Sequence, residues 1–222
     1  FILASKVLVK IENHLALADI YLQTDTPYKA FENLNIALEM DSNNFDVLIA
    51  LANHYYSKSN YEQAVDFYNR AKNSSEDEDS KNNVLRIMLD LNIELKNYDR
   101  AFEIKEALEL AYRNDADFMY AIGVLYQNLA ANLYDEANEQ FNKYRNSSGT
   151  NQQLIEIYQI FMRSLESAEE AIESFETTES ISPGYIDTQI SDLESLMGWI
   201  ETNANSIEDK AYDEGFDDLL FD

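Results

Sequence analysis

Hydrophobic positions along this chain recur at the three-and-four spacing of an α-helix. In HLALADIYLQ the residues Leu15, Leu17, Ala18, Tyr21 and Leu22 make one face, and in YKAFENLNIALEM the residues Ala30, Phe31, Leu34, Ala37 and Leu38 make another. The polar stretch TDTP separates these two patterns, and SKSN separates the next two, so the chain reads as helices joined by tight turns. The whole arrangement then repeats. NYEQA at Asn60 to Ala64 returns as NYDRA at Asn97 to Ala101 and as LYDEA at Leu133 to Ala137.

A shift of 34 residues superposes Leu17, Ala18 and Tyr21 on Leu51, Ala52 and Tyr55, and Ala30, Leu34 and Ala37 on Ala64, Tyr68 and Ala71. The marker alanine stands at Ala30, Ala64, Ala101, Ala137 and Ala171, with steps of 34, 37, 36 and 34. Two antiparallel helices of this length cannot bury both apolar faces alone, so each pair must stack on the next. Ala18, Ala52 and Gly123 are small enough to let the two helices of a pair approach closely, and the recurring Tyr-x-x-Ala opens the second helix.

LADIY, LANHY and IGVLY in the first helices, with YKAFENLNIAL, YEQAVDFYNRA and YDEANEQFNKY in the second, resemble the tetratricopeptide repeat family. The resemblance implies an all-α, right-handed superhelical solenoid of stacked antiparallel helix pairs. Its five units fall at about residues 11–44, 45–78, 82–115, 116–149 and 152–185. The third departs most, with Asn92 where Tyr is expected and Lys105 where an aromatic is expected. The fifth, NQQLIEIYQIFMRSLESAEEAIESF, reads either as a pair or as one long helix.

After Pro183-Gly184, the side made by Ile186, Ile190, Leu193, Leu196, Met197 and Ile200 predicts a capping helix over 186–203, covering the last apolar face with Trp199 in or near its seam. Residues 204–222 form an acidic tail in which Tyr212, Phe216, Leu219 and Leu220 make an apolar stripe if helical, set either to engage a basic partner or to pack on its own domain.

Composition supports the helical reading: 5 Gly and 2 Pro are too few for the many tight turns of an all-β sandwich. With 42 acidic against 16 basic residues, the net charge of -26 repels a nucleic-acid backbone and attracts basic protein segments. There is no cysteine, so thiol chemistry is excluded and the redox compartment stays open. FILASKVLVKI is short and carries Lys6 and Lys10, which fits the packed face of a first helix and not a membrane span.

Signals for chemistry are sparse. His14 and His54 lie at different offsets on first helices, and neither a zinc-protease motif, a Gly-rich phosphate loop nor a nucleophile elbow is present. SSEDEDS at Ser74 to Ser80 is expected as a solvated linker, since Glu76, Asp77 and Asp79 lack the Gly and spacing of a calcium loop. The reading is therefore a non-enzyme without cofactor or metal.

In the resembled family, first helices line a concave face that holds peptides or partner helices. Carried over, that geometry implies a groove of Asp19, Asp46, Asn53, Tyr56, Asn83, Arg86, Asp90, Glu94, Asp117, Tyr120, Gln127 and Asn128. Such a lining favours a basic or aromatic-bearing segment of another protein. Family members that grip a carboxylate terminus use Lys, Arg and Asn where this chain has Leu15, Asp19, Ala50 and Asn83, so that activity is not expected. Two functional classes follow: an interaction scaffold with an acidic groove, similar to assembly chaperones for basic clients, or a structural subunit using helix faces, similar to bacterial envelope repeat proteins.

Overall fold

A computed structural model describes residues 2–146, 149–184 and 186–216, with the side chains of 2–9 and 187 left aside. The described residues form nine helices and no strand: α1 (Ile2–Gln23), α2 (Pro27–Met40), α3 (Phe45–Ser57), α4 (Tyr61–Ser74), α5 (Glu78–Glu94), α6 (Tyr98–Tyr112), α7 (Ala116–Arg145), α8 (Asn151–Ile181) and α9 (Asp187–Glu214). The chain divides into two compact units, Phe1–Met88 and Leu89–Asp222, the boundary falling within α5.

Three hairpin turns share one device. Asp25, Ser59 and Lys96 take left-handed backbone with φ of 51°, 57° and 55°. The next residue's N–H, on Thr26, Asn60 and Asn97, donates back to the carbonyl of Tyr21, Tyr55 and Asn92 at 2.8, 2.9 and 2.8 Å. A second bond runs from Asp25, Ser59 and Lys96 N–H to Leu22, Tyr56 and Ile93 carbonyls at 3.3, 2.8 and 3.0 Å. This is the Schellman pattern, which satisfies carbonyls that the end of a helix otherwise leaves without partners. Asn92, the departure in the third unit, is buried and accepts from the Asn97 side-chain amide at 3.1 Å, so the odd residue is satisfied by the turn itself.

In the first unit α1 packs on α2, α3 on α4, and α2 on α3. Its core joins Ile11, Ala18, Ala30, Leu34, Ala37, Val47 and Leu51. The repeated alanines Ala30, Ala64, Ala101, Ala137 and Ala171 are all fully buried. Within the acidic stretch, Asp77 accepts from Ser80 N–H and Oγ at 2.8 and 2.6 Å, which fixes the start of α5 at Glu78 and holds the Asp77 carboxyl below its usual range.

The second unit departs from the repeat. Residues 116–149 were expected to hold two helices and a turn, but α7 runs unbroken for 30 residues; for 152–185, where a pair and one long helix were both open, α8 is the single helix, of 31 residues. At the place corresponding to Asn60 and Asn97, whose side-chain amides donate to Gln63 and Asn92 beside the turn, stands Leu133, buried in the core after the strong helix formers Ala130 and Ala131. In α8 the equivalent Ser167 donates its hydroxyl to the Arg163 carbonyl one turn back at 2.8 Å, so it too serves the helix interior. LYDEA therefore lies in mid-helix and starts nothing.

The two long helices pack against each other, and α9 packs on α8. Gly123 permits a close approach of α8 to α7: a Cβ there would lie 2.6 Å from the Phe175 ring. Ser164, fully buried, donates to the Ala130 carbonyl at 2.7 Å and ties α8 to α7. Tyr158 donates to the Glu208 carboxylate at 2.7 Å and ties α9 to α8.

α9 covers the α8 surface with Leu193, Ile200, Ala204, Ile207 and Ala211, and it continues through Glu214, so the expected cap-to-tail boundary at 203 lies inside one helix. Trp199 is not in the seam. It stands 60% exposed, since one residue before Ile200 turns it about 100° off the buried stripe. In the tail, Phe216 packs into the core while Tyr212 is 74% exposed; Leu219 and Leu220 lie outside the described residues.

Candidate functional site

Each unit carries a concavity between consecutive first helices. In the first unit it lies between α1 and α3 and measures about 330 Å³. Leu15, Ala18 and Leu22 of α1, Leu34 of α2 and Ala50 of α3 make its apolar wall; Asp19, Asn53, His54 and Ser57 supply the polar groups. Asp19 accepts from the Gln23 amide at 2.8 Å, and Asn53 Oδ1 accepts from the Tyr68 hydroxyl at 2.5 Å, so both are held by their own unit. His54 stacks on Phe31 with centroids 4.8 Å apart. Burial, and then the nearby Lys58, lower its pKa, so the ring is neutral at pH 7.

The second concavity lies wholly within the second unit and measures about 490 Å³. Asp90, Ile93 and Glu94 reach it from the end of α5; Asp117, Tyr120, Ala121, Val124 and Asn128 reach it from α7. The spacing explains the convergence, since residues three and four apart on a helix share a face. Asp115 caps α7 by accepting from Phe118 N–H at 2.8 Å, and Asp117 in that first turn is further favoured by the helix dipole. One side of Tyr120 leans on Phe175 at 5.5 Å, while 39% of the residue stays open to solvent. Asn128 is anchored through its carbonyl, which accepts from the Tyr98 hydroxyl at 3.0 Å.

The structure thus gathers Asp19 and Asn53 at one concavity, and Asp90, Glu94, Asp117, Tyr120 and Asn128 at the other. It leaves the remaining five apart. Asp46 is exposed in the first turn of α3, and Tyr56 meets Tyr61 edge-on at 5.8 Å. Asn83 is exposed and Arg86 half-buried on α5, and Gln127 is half-buried on α7; none of the five lines either concavity. Sequence reasoning missed the apolar floor of Ile93, Ala121 and Val124, and the wall residue His54. Floor residues carry the same periodic signal as core residues, so only the packing separates the two.

Among the described residues no group of three or more His, Cys, Asp or Glu is placed to hold a metal ion. No described helix is long and apolar enough to cross a membrane.

The fold and its paired concavities define an all-α helical-repeat protein with tetratricopeptide-like hairpins in its first half. No protein-family model and no curated protein matches the chain. Among solved structures it is similar to YrrB, described as a tetratricopeptide repeat (TPR) protein with an unusual peptide-binding site, at 16% identity over 78% of this chain and 87% of that one, with a TM-score of 0.45. It is also similar to pilF of Pseudomonas aeruginosa, at 17% identity over 93% of this chain and 92% of that one, with a TM-score of 0.47.

Proposed function

We propose that this protein is a non-catalytic interaction scaffold that holds segments of partner proteins in the concavities between its first helices. The observation that carries the reading is the second concavity, where an apolar floor of Ile93, Ala121 and Val124 is rimmed by Asp90, Glu94 and Asp117. A floor of that kind gains from covering an apolar side chain or stem, and a rim of that charge selects a basic segment and raises its encounter rate. With a net charge of -26, the long-range field acts in the same direction. A client rich in Lys and Arg, of the sort an assembly chaperone shields, fits this surface.

The test is a peptide-display selection against the full chain, followed by binding of the selected peptides to Val124→Arg and Ala50→Arg variants at low and high salt. Val124→Arg or Ala50→Arg is expected to abolish binding, and salt to weaken it. Peptides indifferent to both substitutions would refute the groove.

A second reading rests on a different surface. Leu17 and Ile20, three residues apart on α1, are 40% and 52% exposed, apolar side chains suited to a structural subunit that packs by its helix faces. Loss of a stable complex on Leu17→Asp with Ile20→Asp, while the Val124→Arg variant assembles normally, would select this reading.

A further inference from the structure

We infer that the second concavity is a receptor for a single arginine side chain of the partner, in preference to lysine; the inference rests on the groove reading above. The recess has three parts that match the three parts of arginine. Ile93, only 5% exposed, and Val124 provide an apolar floor on which the aliphatic stem can lie. Asp90 and Glu94 stand one turn apart on α5, and Asp117 faces them from the first turn of α7. Acceptors from two helices suit a planar fork with five N–H donors better than a compact ammonium. Tyr120 adds a ring braced on one side by Phe175 and open to solvent by 39%, a surface on which a guanidinium stacks.

Charge complementarity fixes the sign of the occupant. No Lys, Arg or His is among the residues that line this recess, whereas three carboxylates are. The first-unit concavity makes the contrast: a single carboxylate, Asp19, and a neutral His54 are among the residues that line it. Arginine recognition is therefore assigned to the second unit and not to the first.

The test titrates the full chain with the N-acetyl methylamides of arginine, lysine and citrulline, following the methyl resonances of Ile93, Ala121 and Val124 by NMR. Arginine should shift these methyls saturably, about fivefold more tightly than lysine, and citrulline, which keeps the shape and loses the charge, should not saturate. The near-isosteric pair Asp90→Asn with Glu94→Gln should weaken arginine by about tenfold while leaving the unshifted part of the spectrum intact. Equal response to arginine and lysine, or unsaturable shifts spread over the whole acidic surface, would overturn the inference. A display-selected peptide that occupies this recess without a basic residue would also overturn it while leaving the scaffold reading in place. Selected peptides that avoid both concavities would instead remove the scaffold reading.

Discussion

Gly123 is the position where the packing of the second unit is most open to a quantitative test. A methyl group there would sit 2.6 Å from two ring carbons of Phe175 and 2.9 Å from a third. Overpacking of this kind costs about 1–3 kcal/mol, and replacing a mid-helix Gly by Ala returns about 1 kcal/mol through helix propensity. Gly123→Ala should therefore destabilise by about 1 kcal/mol. In a Phe175→Leu background the ring is gone, and the same substitution should stabilise by about 0.5–1 kcal/mol, although Phe175→Leu is itself costly because Phe175 is fully buried. The four proteins make a double-mutant cycle whose coupling term is the clash. Urea unfolding followed by Trp199 fluorescence reports on the right unit, since the only tryptophan lies within Leu89–Asp222. A Gly123→Ala change that stabilises both backgrounds equally would show that the helices do not approach as closely as described.

Two further outcomes are open to measurement. Asp25, Ser59 and Lys96 hold φ of 51°, 57° and 55°, a conformation that costs a non-glycine residue roughly 1 kcal/mol, so Lys96→Gly and Ser59→Gly should each raise the melting temperature in calorimetry; a fall at either would refute the turn assignment. Burial, then the bond to Glu208, pushes the Tyr158 phenol up to about 12 from 10.0. The unfolded chain thus ionises first, and the stability this contact supplies is whole below pH 10 and lost as pH rises to about 12, by up to about 1.4 kcal/mol per pH unit. Tyr158→Phe should flatten that decline in urea midpoints measured across the window; parallel declines in the two proteins would show that the contact is not responsible.

The first half of the fold was legible because its punctuation is chemical. TDTP, SKSN and the Lys96-Asn97 step carry residues that tolerate left-handed backbone or begin a helix, and α2, α4 and α6 start at Pro27, Tyr61 and Tyr98 beside them. The second half was misread at one point with large consequences. LYDEA retains the marker alanine, and Ala137 is fully buried as the repeat requires, but a core position of a hairpin and a core position of a long helix look alike in sequence. What distinguishes them is the turn, and Leu133 stands where Asn60 and Asn97 mark the other two turns. The candidate site was half legible for a related reason. The groove geometry carried over from the resembled family picked out Asp90, Glu94, Asp117, Tyr120 and Asn128, which converge, and also Asp46 and Tyr56, which do not, because convergence depends on where a neighbouring helix lies.

The unbroken α7 bears directly on the second concavity. Its wall, from Asp117 to Asn128, belongs to the same 30-residue rod whose far half, through Ala137, Phe141 and Tyr144, is buried against α8 and α9. In a hairpin repeat this wall would end at a turn a few residues beyond Asn128, and its position would depend on that turn. Here the hydrogen bonds from Tyr98 to the Asn128 carbonyl and from Ser164 to the Ala130 carbonyl brace the helix where the turn would have stood. Both donors come from other helices, so bending α7 at this point would break contacts on two sides at once. The lost turn thus exchanges a joint for a brace, and the arginine recess proposed above would need its walls fixed in this way.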